Sequence, residues 1–118
     1  GVAPNDLISS KNFAGITYLD PLTTINETAQ KLRQQEHCDI VICISHLGSD
    51  VPGAKGHETD YDLNLLPQSH GVDMFVSGHT HHINDLRVKD ADGHDVILRQ
   101  TNKGGVTICK TILHLCQD

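Results

Sequence analysis

Tryptophan is absent from this 118-residue chain, and only four aromatic side chains occur: Phe13, Tyr18, Tyr61 and Phe75. An aromatic interior is therefore excluded, and the core must be mainly aliphatic. Long apolar runs are absent too. Stretches such as Ile40-Val41-Ile42-Cys43-Ile44 fall far short of the roughly 20 residues that a membrane-crossing helix needs. Positive charge is scarce: 9 Lys and Arg stand against 15 Asp and Glu, a net −6 with His neutral. Without a basic surplus, a nucleic-acid polymer is not an expected partner. Residues 1–11 show neither the basic start nor the apolar stretch of a signal peptide. Cys38, Cys43, Cys109 and Cys116 form no C-x-x-C pair and have no zinc-ribbon spacing. Cys43 and Cys109 lie in apolar, strand-like runs, where a cysteine usually acts as a small buried hydrophobe. Four free thiols favour a reducing compartment weakly, with a pair of disulfides as the alternative.

What is present is a chain 37% hydrophobic, enough for a modest core, and of a length that suits one domain. Residues 1–12 are polar and irregular, and 13–19 reads as a short strand ended by an Asp20-Pro21 turn. Thr24-Ile25-Asn26-Glu27 matches a capping box, and Ile25, Ala29 and Leu32 then share one helical face. A helix over 24–36 follows from this, with Lys31, Arg33, Gln34, Gln35 and Glu36 on its wet side. Residues 39–45 lack polar alternation, which predicts a strand covered on both faces, as in a parallel sheet. A loop rich in Gly, Pro and charge covers 47–58, a short helix covers 60–66, and a strand covers 73–77. Asp90-Ala91-Asp92-Gly93-His94 predicts a turn between strands near 83–89 and 95–101. A second turn at 102–105 precedes a strand over 106–115. The order predicts an α/β fold, a parallel or mixed sheet with flanking helices.

Histidine is abundant, with nine copies, and three of them follow strands: Ile44-Ser45-His46 and Val76-Ser77-Gly78-His79-Thr80-His81. The 32 residues between His46 and His79 suffice for a crossover that makes the two strands parallel. Parallel strands present their carboxyl ends at one sheet edge, where open α/β sheets bind ligands. His46, His79 and His81 are therefore expected to converge as metal ligands, with Gly78 allowing close approach to the site. His37, His57, His70, His82, His94 and His114 lack that placement and read as structural or solvated.

Ser45-His46-Leu47-Gly48 resembles the [TS]-H-x-G segment of the calcineurin-like metallophosphoesterases, and residues 71–81 resemble the apolar strand and G-H-x-H motif of that family. The resemblance runs over about residues 13–116 and is nearest the 5′-nucleotidase and UDP-sugar hydrolase branch. It implies half of an αββα sandwich, with 1–118 forming the carboxyl-terminal part of a catalytic domain. It also implies that His46 and His79 ligate one divalent ion and His81 a second, the ions being Zn, Mn or Fe. A di-metal site of that kind activates a bridging water and clamps phosphoryl oxygens for in-line attack. No D-x-H or G-N-H-[DE] motif precedes Ser45, so the bridging aspartate and the catalytic histidine of the family have no counterpart. The substrate-binding domain of 5′-nucleotidases is likewise expected to be missing. The expectation is a fragment of a phosphoesterase acting on nucleotide phosphomonoesters, holding at most one ion and inactive or nearly so by itself. The alternatives are a 2′,3′-cyclic nucleotide phosphodiesterase or a UDP-sugar hydrolase of the same family, and a non-enzymatic metal-binding module. The family branch suggests a periplasmic or cell-surface location. An uncovered half-domain face would favour a homodimer or larger assembly.

Overall fold

The structure, a computed structural model, describes residues 15–49 and 61–116. Its order is α1 (Pro21–Gln34), β1 (Ile42–Ile44), α2 (Asp62–Leu65) running into a 3-10 turn (Leu66–Gln68), β2 (Met74–Ser77), β3 (Asn84–Lys89) and β4 (Asp95–Gln100). The four strands form one open mixed sheet in the order β1-β2-β4-β3. β1 pairs parallel to β2, β2 parallel to β4, and β3 antiparallel to β4. This is the expected α/β architecture.

Helix α1 begins three residues earlier than the capping box predicts. Asp20 is the N-cap, its carboxylate accepting the Thr23 N–H at 2.7 Å, and Pro21 fills the first helical turn, where its missing N–H costs nothing. Thr24 instead donates its hydroxyl to the Asp20 carbonyl at 2.8 Å. The apolar face is as expected: Ala29 is buried in the core, with Ile25 and Leu32 packed against it. Arg33, by contrast, is not on a wet face. It donates from Nε to the Gly71 carbonyl at 3.1 Å and from Nη1 to the carbonyls of Cys38 at 3.0 Å and Asp39 at 2.6 Å. It also pairs with Asp73, whose carboxylate accepts the Val41 N–H at 2.7 Å. One guanidinium thus fastens the end of α1 to the chain entering both β1 and β2. Arg33→Ala is expected to lower stability by about 2 kcal/mol, because several charge-assisted bonds go at once. Arg33→Lys should recover only part of that, since an ammonium lacks the planar fork. Equilibrium urea unfolding of the three proteins checks this order.

The core lies on one side of the sheet. Phe75 from β2 and Val96 and Leu98 from β4 pack with Val41, Leu66, Val72 and Ala29. The opposite side carries Ile42, Ile44 and Val76 open to solvent. Residues 39–45 therefore do not form a strand covered on both faces. The strand is parallel but short, lies at the sheet edge, and exposes alternate residues. The hairpin at 90–94 forms between β3 and β4, as the turn sequence predicts. No strand forms over 106–115. Val106 and Ile108 are among the most exposed apolar side chains, and Cys109, Thr111 and Leu113 lie across the open sheet side, lining a pocket with Ile42, Met74, Val76 and Arg99. A strand needs a hydrogen-bonded neighbour, and this segment crosses a face without pairing at an edge. Cys109 is accordingly exposed, not a buried hydrophobe, and all four thiols are free. Residues 16–19 form no strand either. The rest of that predicted strand (13 and 14), the amino-terminal stretch 1–12, Asp60 and most of the 47–58 loop lie outside the described residues.

Candidate functional site

Parallel pairing aligns the ends of β1 and β2: Ile44 faces Val76, and the Ser45 N–H donates to the Val76 carbonyl at 2.8 Å. The chain leaves both strands at the same sheet edge, so the 45–48 and 78–81 loops meet. The imidazoles of His46 and His79 lie with ring centroids 5.4 Å apart and planes inclined at 59°. His46 is exposed and His79 half-buried.

Two glycines, one in each loop, make the meeting possible. A Cβ on Gly78 would stand 2.8 Å from Nδ1 of His46, so the His46 ring occupies the space that any other residue would fill. A Cβ on Gly48 would stand 2.7 Å from Cγ2 of Thr80, 3.3 Å from Tyr61 and 3.5 Å from Cδ2 of His79. Gly48 also has φ +98, a backbone region that only glycine enters without strain. The spacing H-x-G in one loop and G-H-x-H in the other therefore has a steric reason. Each loop gives up a side chain where the other brings a bulky one.

Beneath the loops lies a polar layer. Ser45 donates its hydroxyl to the carboxylate of Asp62 at 2.6 Å and accepts the Leu47 N–H at 3.2 Å. Asp62 is fully buried, and burial pushes its carboxyl pKa up. The hydroxyls of Ser45 and Ser77 oppose that rise, although Ser77 closes no hydrogen bond of ordinary geometry. Because the folded form holds the proton more tightly, this group's contribution falls as pH rises from the ordinary Asp range towards the raised value. Burial, with the Asp62 charge adding to it, pushes the neighbouring Cys43 thiol up to about 11, so it stays protonated and unreactive near neutrality. On the β4 side, Ser49 and Thr80 hydroxyls both reach Oε1 of buried Gln100, and Asn84 donates to Ser49 at 2.6 Å.

Of the three histidines read as ligands, the structure brings His46 and His79 together. Two imidazoles on one zinc at about 2.0–2.1 Å and a tetrahedral angle place their centroids roughly 5 Å apart, close to the 5.4 Å between His46 and His79. His81 sits two residues on, exposed and with φ +58. Among the described residues it does not join the pair in a group of three ligand atoms within 4.8 Å. The group that does meet this distance is Asp90, Asp92 and His94, at the opposite edge of the sheet. Its geometry is that of the hairpin turn itself: one oxygen of Asp90 accepts the N–H groups of Asp92 and His94, at 2.9 and 2.8 Å. His70, read as structural or solvated, pairs with Asp92 at 2.9 Å.

Asp62 went unnoticed in the sequence. An acid inside Tyr61-Asp62-Leu63-Asn64-Leu65-Leu66 resembles any polar residue of a short surface helix, and only its packing shows that it faces inward.

An apyrase of Tabanus yao is 32% identical over 66 residues, which are 56% of this chain and 10% of that protein. The chain thus spans about a tenth of the length of the curated relative it matches. The likeness points towards a nucleotidase-like family. No family model matches the chain. No solved structure matches it either.

Proposed function

We propose that this chain supplies part of the metal centre of a nucleotide phosphatase, with His46 and His79 as ligands of one divalent ion and His81 available to a second. The observation that carries the reading is the histidine pair, 5.4 Å apart at the shared carboxyl edge of two parallel strands and seated on reciprocal glycines. The likeness to an apyrase supports a nucleotide phosphatase, and the G-H-x-H pattern supports the metallophosphoesterase kind acting on phosphomonoesters. A zinc or manganese ion bound there would polarise a phosphoryl oxygen and lower the pKa of a bound water. The chain's own contribution is to hold two imidazoles at fixed separation, so that binding costs little reorganisation. No D-x-H or G-N-H-[DE] motif precedes Ser45 to bring the bridging carboxylate or the proton donor that ester cleavage also needs, so the chain by itself should turn over substrate negligibly.

Zinc titration followed by competition with a chromophoric chelator tests the reading. The wild-type chain is expected to bind one zinc saturably, and the double variant His46→Ala/His79→Ala to bind it at least tenfold more weakly. Gly78→Ala should give a similar loss while costing little stability, because the atoms nearest its Cβ all belong to the exposed ring of His46. Unchanged affinity in the double variant overturns the proposal.

A further inference from the structure

We propose that Asp62 is the positioning residue of the histidine pair, fixing the turn that carries His46 while bordering the strand end that precedes His79. This rests on the reading of His46 and His79 as ligands. The loop from Ser45 to Gly48 is held at both ends by this one residue. At its start the Ser45 hydroxyl donates to Asp62 Oδ1 at 2.6 Å, and the same hydroxyl accepts the Leu47 N–H at 3.2 Å, so His46 lies inside the closed turn. At its end the Asp62 N–H donates to the Gly48 carbonyl at 2.8 Å. The second oxygen of Asp62 is buried without a hydrogen-bond partner, and so is the hydroxyl of Ser77, two residues before His79. The residue leaving β1 and the last residue of β2 thus border the same carboxyl group.

A carboxyl group at zero exposure is an expensive choice for a core position. An apolar residue there would avoid an incompletely satisfied polar group, so the fold alone gives no reason for an acid. Its retention is explained if the acid fixes the loop that carries a ligand, in the way that groups behind a metal site orient the ligands in front.

The test is zinc affinity across Asp62→Asn, Asp62→Ala and Ser45→Ala in the full chain, with thermal unfolding recorded on the same samples. Asn keeps an acceptor for the Ser45 hydroxyl, so Asp62→Asn should bind within about twofold of wild type. Asp62→Ala removes the acceptor and should weaken zinc about tenfold. Ser45→Ala cuts the same bond from the other side with a much smaller change in volume. It should show the same loss even if Asp62→Ala fails to fold. A purely structural Asp62 would leave the affinity of the folded variants unchanged. Ser45→Ala binding as tightly as wild type therefore overturns the inference while leaving the ligand reading intact. If the wild-type chain binds no zinc through His46 and His79, the ligand reading fails and the inference fails with it.

Discussion

Replacing Gly48 with alanine should cost about 3 kcal/mol, and it should do so through two separable effects. The first is backbone strain: at φ +98 a residue with a Cβ is forced into a region that costs roughly 1–2 kcal/mol. The second is overlap, since the new methyl would lie 2.7 Å from Cγ2 of Thr80. A threonine methyl can ordinarily rotate away. Here rotation would break the bonds of Thr80 Oγ1 to Ser49 at 3.1 Å and to Gln100 at 3.0 Å, in a layer where Gln100 is buried and cannot turn to water. Overpacking of this sort typically adds about 1–3 kcal/mol. Gly93→Ala separates the two contributions. Gly93 has φ +83 with nothing within 4 Å of the site of its Cβ, so that variant should lose the strain alone, about 1–2 kcal/mol. Urea unfolding midpoints of the two variants measure the difference. Equal losses would mean that the Thr80 contact yields without cost.

The part of this site that could be read in the sequence is the part that follows from connectivity. Apolar runs ending in Ser45-His46 and Ser77-Gly78-His79, separated by enough chain for a crossover, imply parallel strands, and parallel strands bring their ends together. That reasoning placed His46 beside His79 without any knowledge of packing. It also singled out Gly78, although the reason turns out to be the His46 ring in place of a ligand. What it could not supply depends on competition between signals or on distant partners. Asp20-Pro21 and Thr24…Glu27 are both helix-start patterns four residues apart, and the earlier one prevails because Pro21 has no N–H to satisfy. Val106, Ile108 and their neighbours carry a β-rich pattern, yet the pattern cannot say whether an edge is available to pair with. Arg33 looks like any solvent-facing helix residue until the chain before β1 and β2 is folded against it. Asp62 is the extreme case, since a buried acid has the same one-letter appearance as an exposed one.

The largest single loss of stability should come from Phe75→Ala, about 3–5 kcal/mol. Phe75 is the aromatic side chain that is fully buried among the described residues, on the central strand β2 with Cys43 on one side and Leu98 on the other. The core it fills is one-sided. Ile42, Ile44 and Val76 on the opposite side of the sheet are exposed, and the segment that crosses it at 109–113 forms no helix or strand, so little packing on that side shares the burden. Truncation to alanine leaves a cavity bounded by β strands on both flanks, and paired strands cannot collapse inward without breaking the ladder, so little of the void should be recovered. Against a total of about 5–15 kcal/mol for a typical domain, such a loss leaves a partly unfolded population at 37 °C. Phe75→Leu retains most of the apolar volume and should lose much less, about 1.5 kcal/mol. Circular dichroism melting curves rank the three proteins. Because β2 also carries the Gly78-His79 loop, Phe75→Ala should weaken zinc only in step with unfolding, and Phe75→Leu should bind zinc as the wild type does. A Phe75→Leu chain that is fully folded but loses zinc binding would show that the strand's packing, and not its loop alone, sets the separation of the two imidazoles.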